Sequence, residues 1–74
     1  MTQKEMIKDH LDREGSITSA EAMGLYGIAR LASRIDEMRQ DGYAIKSVPI
    51  ISRNRYGKKI RYTRYEWGET NDTV

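Results

Sequence analysis

The hydrophobic period of this chain changes once, at Gly42, and that change limits the folds open to it. Before Gly42, apolar residues recur every three or four positions, the repeat of a helix face. After it, β-branched and aromatic residues crowd residues 44–53 and 59–67, on either side of Asn54-Arg55-Tyr56-Gly57-Lys58, which is turn chemistry. Helices first and a hairpin last make an α+β chain, and 74 residues hold one domain at most.

The helical half divides into three. Thr2 is an N-cap with Glu5 at capping-box spacing, Met6, Ile7, His10 and Leu11 form one stripe, and Gly15 is the stop. Ser16-Ile17-Thr18 is a connector able to add a strand. Thr18 caps a second helix, with Glu21 three residues on and Ala22, Met23, Leu25 and Tyr26 as its apolar side. Gly24 costs this helix about 1 kcal/mol relative to Ala, so it is expected to be short, with Gly27 ending it. The third helix is predicted to begin near Ala29, to bury Ile28, Leu31, Ala32, Ile35 and Met38, and to close at Gly42. Two helices joined by so short a turn make a helix-turn-helix. In the first β run, Pro49 favours an edge position or a bulge. The domain is expected over residues 1–67, with 68–74 as a polar, flexible tail.

The net charge of +2 conceals an uneven distribution. Between residues 44 and 67 the chain carries Lys46, Arg53, Arg55, Lys58, Lys59, Arg61 and Arg64 against Glu66 alone. Charge gathered this way attracts polyanions, which scattered charge does not.

The order helix, helix-turn-helix, β-hairpin is that of a winged helix: three helices followed by a β-hairpin wing. The sequence also resembles the small winged helix-turn-helix proteins of bacteriophages and prophages, from about Thr2 to Trp67. The resemblance rests on Gly15-Ser16-Ile17-Thr18, Glu21-Ala22, Tyr26-Gly27-Ile28 and Arg30-Leu31-Ala32-Ser33-Arg34-Ile35. It continues through Met38-Arg39 and Gly42-Tyr43-Ala44-Ile45 to Asn54-Arg55-Tyr56-Gly57-Lys58-Lys59 and Arg61-Tyr62-Thr63-Arg64-Tyr65. It implies DNA binding without naming a process; transcriptional regulation and an architectural task both fit.

The third helix is the candidate recognition helix. With Leu31, Ile35 and Met38 on the core, a step of about 100° per residue puts Ala29, Arg30, Ser33, Glu37 and Gln40 opposite, with Arg34 on the flank. Arg30 suits a bidentate contact to guanine, Ser33 a base or a phosphate, Ala29 a thymine methyl, and Arg34 a phosphate. The competing reading is a solvated face on which Arg30 and Arg34 pair with Glu37 or Asp41. Asp36, Glu37 and Asp41 would repel phosphate, so only the first two turns are expected in a groove. The candidate wing contacts are Arg53, Asn54, Arg55, Tyr56, Lys58, Lys59 and Arg61. The competing reading here is protection of strand edges, which would use both signs of charge. Arg61 and Arg64 fall on opposite sides of their strand, and Arg61 is the better phosphate ligand.

Other chemistries find little support. His10 is the only histidine and lies on an apolar stripe, no cysteine is present, and no serine has a histidine base at recognisable spacing. No enzymatic activity, metal or cofactor is expected. The opening residues lack a signal-peptide core or a transmembrane run, so a soluble, cytoplasmic protein without a membrane partner is expected. Tyr65 and Trp67 are expected to pack the second strand on the helices. Val48, Pro49, Ile50 and Ile51 either pack inward or face a partner, and a homodimer through this strand or helix one would suit palindromic DNA. The alternative function is a protein-interaction module, for example one that inhibits a host protein.

Overall fold

Two threonines set the ends of the first two helices in the computed structural model, which describes residues 1–69. Thr2 caps α1 (Gln3–Glu14): its hydroxyl accepts from the Glu5 N–H at 3.1 Å, and the Glu5 carboxylate accepts from the Thr2 N–H at 2.7 Å. Thr18 and Glu21 repeat this box on α2 (Ser19–Tyr26). Between them, Ser16–Thr18 form the short strand β1. Gly15 and Gly27 end the two helices in the left-handed conformation that a side chain disfavours, with φ of 88° and 68°.

The third helix starts later than its hydrophobic pattern suggests. Ile28 is buried, and its N–H closes back on the Ala22 carbonyl at 3.1 Å, so the chain is still leaving α2 at that point. Ala29 lies in a bend, Arg30 has non-helical angles, and α3 runs over Leu31–Gln40. Gly42 does close this helix: its N–H donates to Arg39 and that of Tyr43 to Met38, each at 3.0 Å, the paired bonds of a Schellman motif.

The strands β2 (Ile45–Arg53) and β3 (Lys59–Trp67) form an antiparallel hairpin, and β1 pairs with the far side of β3, giving the order β1-β3-β2. Register runs from Ile45 opposite Trp67 to Arg53 opposite Lys59. The bonds Gly68 N–H to Ala44 O and Asn54 N–H to Lys58 O fix which pairs are hydrogen-bonded. By alternation, Pro49 and Thr63 form a non-hydrogen-bonded pair, so the proline nitrogen points away from the ladder on an edge strand, where its missing N–H costs nothing.

The core lies between α1, α2, α3 and one sheet face: Ile7, Leu11, Ile17, Ala22, Ile28, Leu31, Ile35, Met38 and Ile45, with Tyr26, Tyr65 and Trp67 packed on it. His10 is buried among them and its Nδ1 bonds to the Tyr26 hydroxyl at 2.8 Å. Three expected core residues stand outside. Met23 and Leu25 are 51% and 63% exposed and Ala32 is exposed, because the short α2 and α3 each turn a single narrow face inward. Residues 70–74, most of the expected tail, lie outside the described residues.

Candidate nucleic-acid interface

β1 pairs with β3 only over Arg64–Glu66, so the rest of the hairpin projects beyond the sheet. Its turn is built by one side chain. Asn54 Oδ1 accepts the N–H groups of Tyr56 at 2.9 Å and Lys58 at 3.0 Å, while the Gly57 N–H donates to the Asn54 carbonyl at 2.9 Å. Gly57, at φ 78°, supplies the left-handed residue that follows the type I turn in a three-residue hairpin loop. Asn54 therefore shapes the tip, and its carbonyl oxygen is occupied in doing so. Arg53 donates from Nη1 to the Gly57 carbonyl at 2.9 Å and lies across the turn. Tyr56 stands out from the tip with its ring exposed.

Strand alternation sorts the side chains of this projecting segment. Arg53, Lys59 and Arg61 share the sheet face that nearer the base carries Ile45, Tyr65 and Trp67. Arg64 is on the other face, where its Nε holds Glu66 at 2.8 Å.

The other candidate residues gather at the start of α3. Arg30 stands at the N-cap position without capping the helix, and no acid occupies the first turn, in contrast to the boxes on α1 and α2. Arg30 and Ala29 are exposed ahead of the helix, and Ser33 is exposed in its first turn. Arg34 is half-buried, its Nη2 lies 3.3 Å from the Glu37 carboxylate, and its Nε has no partner among the described residues. No hydrogen bond or ion pair among the described residues joins the α3 group to the wing group.

The electrostatics divide the cations into two classes. Lys4, Lys8, Arg13, Arg34, Arg39, Lys46 and Arg64 each pair with a carboxylate. Arg30, Arg53, Arg55, Lys58, Lys59 and Arg61 pair with none among the described residues, and all six lie at the wing tip or the start of α3.

A family model described as a winged helix-turn-helix domain matches residues 2–69. The chain belongs to the winged helix-turn-helix family. No curated protein matches its sequence. Membership carries DNA binding in general as the activity and DNA as the partner, on a fold that is typically non-enzymatic. No helix among the described residues is long and apolar enough to cross a membrane.

One residue that positions this winged helix's parts was not apparent from its sequence. Arg39 donates from Nε to the Ile45 carbonyl and from Nη2 to the Ser47 hydroxyl, both at 2.9 Å, and its guanidinium carbon lies 6.0 Å from the centroid of the Tyr65 ring. It ties the last turn of α3 to the base of the wing. Its partners lie across the Gly42 turn, so no helical spacing announces them.

Proposed function

We propose that this winged helix binds double-stranded DNA with the first turns of α3 in the major groove and its wing on the phosphate backbone. The observation that carries the reading is the segregation of the six cations that have no acidic partner among the described residues. An ion-paired surface gains little from a polyanion, whereas unpaired lysines and arginines release counterions from DNA as they bind. Arg30 and Ser33 reach for base edges, and Ala29 leaves room for close approach. Arg34, held by Glu37, lies at the flank of the groove. Arg53, Arg55, Tyr56, Lys58, Lys59 and Arg61 lie along the backbone, on a tip kept in shape by Asn54. The uncapped N-terminus of α3 adds a positive dipole end without an acid to oppose it.

The resemblance to phage and prophage proteins supports a regulatory or architectural role in such a setting, inside the cytoplasm. The test is fluorescence anisotropy with random-sequence duplex DNA at low and raised salt. Salt-sensitive binding is expected, and replacing Arg30 with Ala reduces discrimination between sites by about 1–3 kcal/mol. No binding at low salt would refute the reading.

A further inference from the structure

The wing has a second face and an open edge that DNA binding does not use. In β3, residues 60, 62, 64 and 66 direct their N–H and C=O groups to β2, and the odd-numbered residues direct theirs to the opposite side. β1 covers that side only as far as Arg64, because the chain turns into α2 after Thr18. The main-chain groups of Lys59 and Arg61 and the N–H of Thr63 are therefore left without strand partners among the described residues, while the Thr63 carbonyl faces Ser19, where β1 turns into α2. Beside them lies a groove of about 450 Å³, walled by Ser19, Ala20 and Glu21 on α2 and by Ile60, Tyr62 and Thr63 on β3. Its apolar wall is exposed to solvent: Ile60 is 39% and Tyr62 43% accessible. Val48 and Ile50 extend the same sheet face across β2.

We propose that this edge takes an extended segment of a partner protein in which acidic and apolar residues alternate. The added strand continues the line that β1 leaves. Strand geometry then sorts its side chains. Those opposite Lys59 and Arg61 lie on the cationic face of the wing, so they are acidic. Those opposite Ile60 and Tyr62 lie over the groove, so they are apolar. The Glu21 carboxylate does not oppose them, since it accepts from the Thr18 N–H at 2.9 Å and belongs to the capping box. A second copy of this chain is the wrong occupant. Antiparallel pairing of the edge with itself about Arg61 sets that arginine against its own copy, an unfavourable like-charge pair. The peptide and DNA share the cations Lys59 and Arg61, but the peptide also engages main-chain groups and the apolar face, neither of which a phosphate backbone engages.

The probe is a short fluorescent peptide that alternates glutamate and valine, mixed with the full chain. Three comparisons decide the matter. A peptide of the same composition with its acids in one block and its valines in another should bind about tenfold more weakly or worse. Methylating alternate peptide nitrogens should abolish binding through one set of methylated positions and not through the other. Amide exchange at Lys59, Arg61 and Thr63 should slow on adding the alternating peptide, with no comparable slowing from duplex DNA. The variant Thr63→Pro removes one outward N–H while sparing the β2 ladder, and should weaken the peptide without weakening DNA; the methylated peptides make the same test on the unaltered protein. Equal binding of the blocked and alternating peptides, indifference to methylation at either set, or no binding at all would overturn the proposal. Slowing of the same three amides by duplex DNA and not by the peptide would overturn it too, and would assign the edge to the DNA interface.

Discussion

If the six unpaired cations make the DNA interface, two variants with the same change in net charge should behave differently. Replacing Arg55, Lys58 and Lys59 with Ala removes three unpaired cations. Replacing Lys4, Lys8 and Arg13 removes three that pair with Asp41, Asp12 and Asp9. Each neutralised phosphate contributes about 0.9 to the slope of log K against log salt, so six unpaired cations predict a slope near −5 for the unaltered protein. Raising salt from about 50 to about 200 mM should then lower affinity on the order of 10³-fold. The wing variant keeps three of the six, so its slope should be about −2.7 and its loss over the same range about 40-fold. The α1 variant should keep the slope near −5 and melt at nearly the same temperature by circular dichroism, because exposed ion pairs add little stability. Anisotropy titrations of one random duplex across a salt series give both slopes. Equal slopes for the two variants would mean that binding senses total charge and not its placement, and the argument from pairing would fail.

Three further outcomes follow from the packing. Ile35 is fully buried at the centre of α3, so Ile35→Ala should cost about 2–5 kcal/mol, read as a lower urea midpoint with an unchanged m-value. Asn54→Ala leaves the Tyr56 and Lys58 amides without their acceptor; it should cost about 1 kcal/mol, speed amide exchange at both residues, and weaken DNA binding through a looser tip. Asp12 accepts from Lys8 Nζ and from Trp67 Nε1, both at 2.9 Å, and the Lys8 hydrogen bond foremost holds its carboxyl below the ordinary value of 3.8. A depressed folded pKa contributes stability that is complete above the unfolded value and lost as pH falls through the folded one. The emission of Trp67, the sole tryptophan, should therefore titrate with a midpoint below 3.8; a midpoint at or above it would refute the assignment.

The element order was legible because each signal was local. Threonine-glutamate boxes, glycine stops and the change of period each act within a few residues, and the second strand was readable from Lys59 to Trp67 for the same reason. What escaped the sequence depends on distant partners. The late start of α3 follows from an Ile28 bond back to Ala22, and the exposure of Met23, Leu25 and Ala32 from how little of each helix meets the core. Of the candidate interface, the cationic cluster was visible as composition. The division into paired and unpaired cations was not, because Lys4 finds Asp41 across the fold and Arg64 finds Glu66 two residues away on one strand face. Asn54 was read both as turn chemistry and as a DNA contact; the turn's hydrogen bonds show how it shapes the tip.

One pair in the wing sharpens the case for an anionic ligand. Arg53 faces Lys59 directly, in a non-hydrogen-bonded position where opposed residues approach most closely, and on the same face two residues along Arg61 stands opposite the neutral Ile51. Like charges so placed disfavour the hairpin, and apart from the bond of Arg53 to the Gly57 carbonyl nothing in the packing holds them, since the tip is exposed throughout. Outside the wing tip and the start of α3, every lysine and arginine among the described residues pairs with an acid. A local rule broken where the surface is free to obey it marks a site kept for binding. Lys59→Glu should then do two opposed things. It sets an acid across from Arg53 and should stabilise the fold by up to about 1 kcal/mol in thermal or urea unfolding at low salt. It also exchanges a cation for an anion at the wing and should weaken binding to duplex DNA of any sequence. A variant that loses stability as well as DNA affinity would show that Lys59 serves the hairpin itself, and the reading of this pair as an anion site would be wrong.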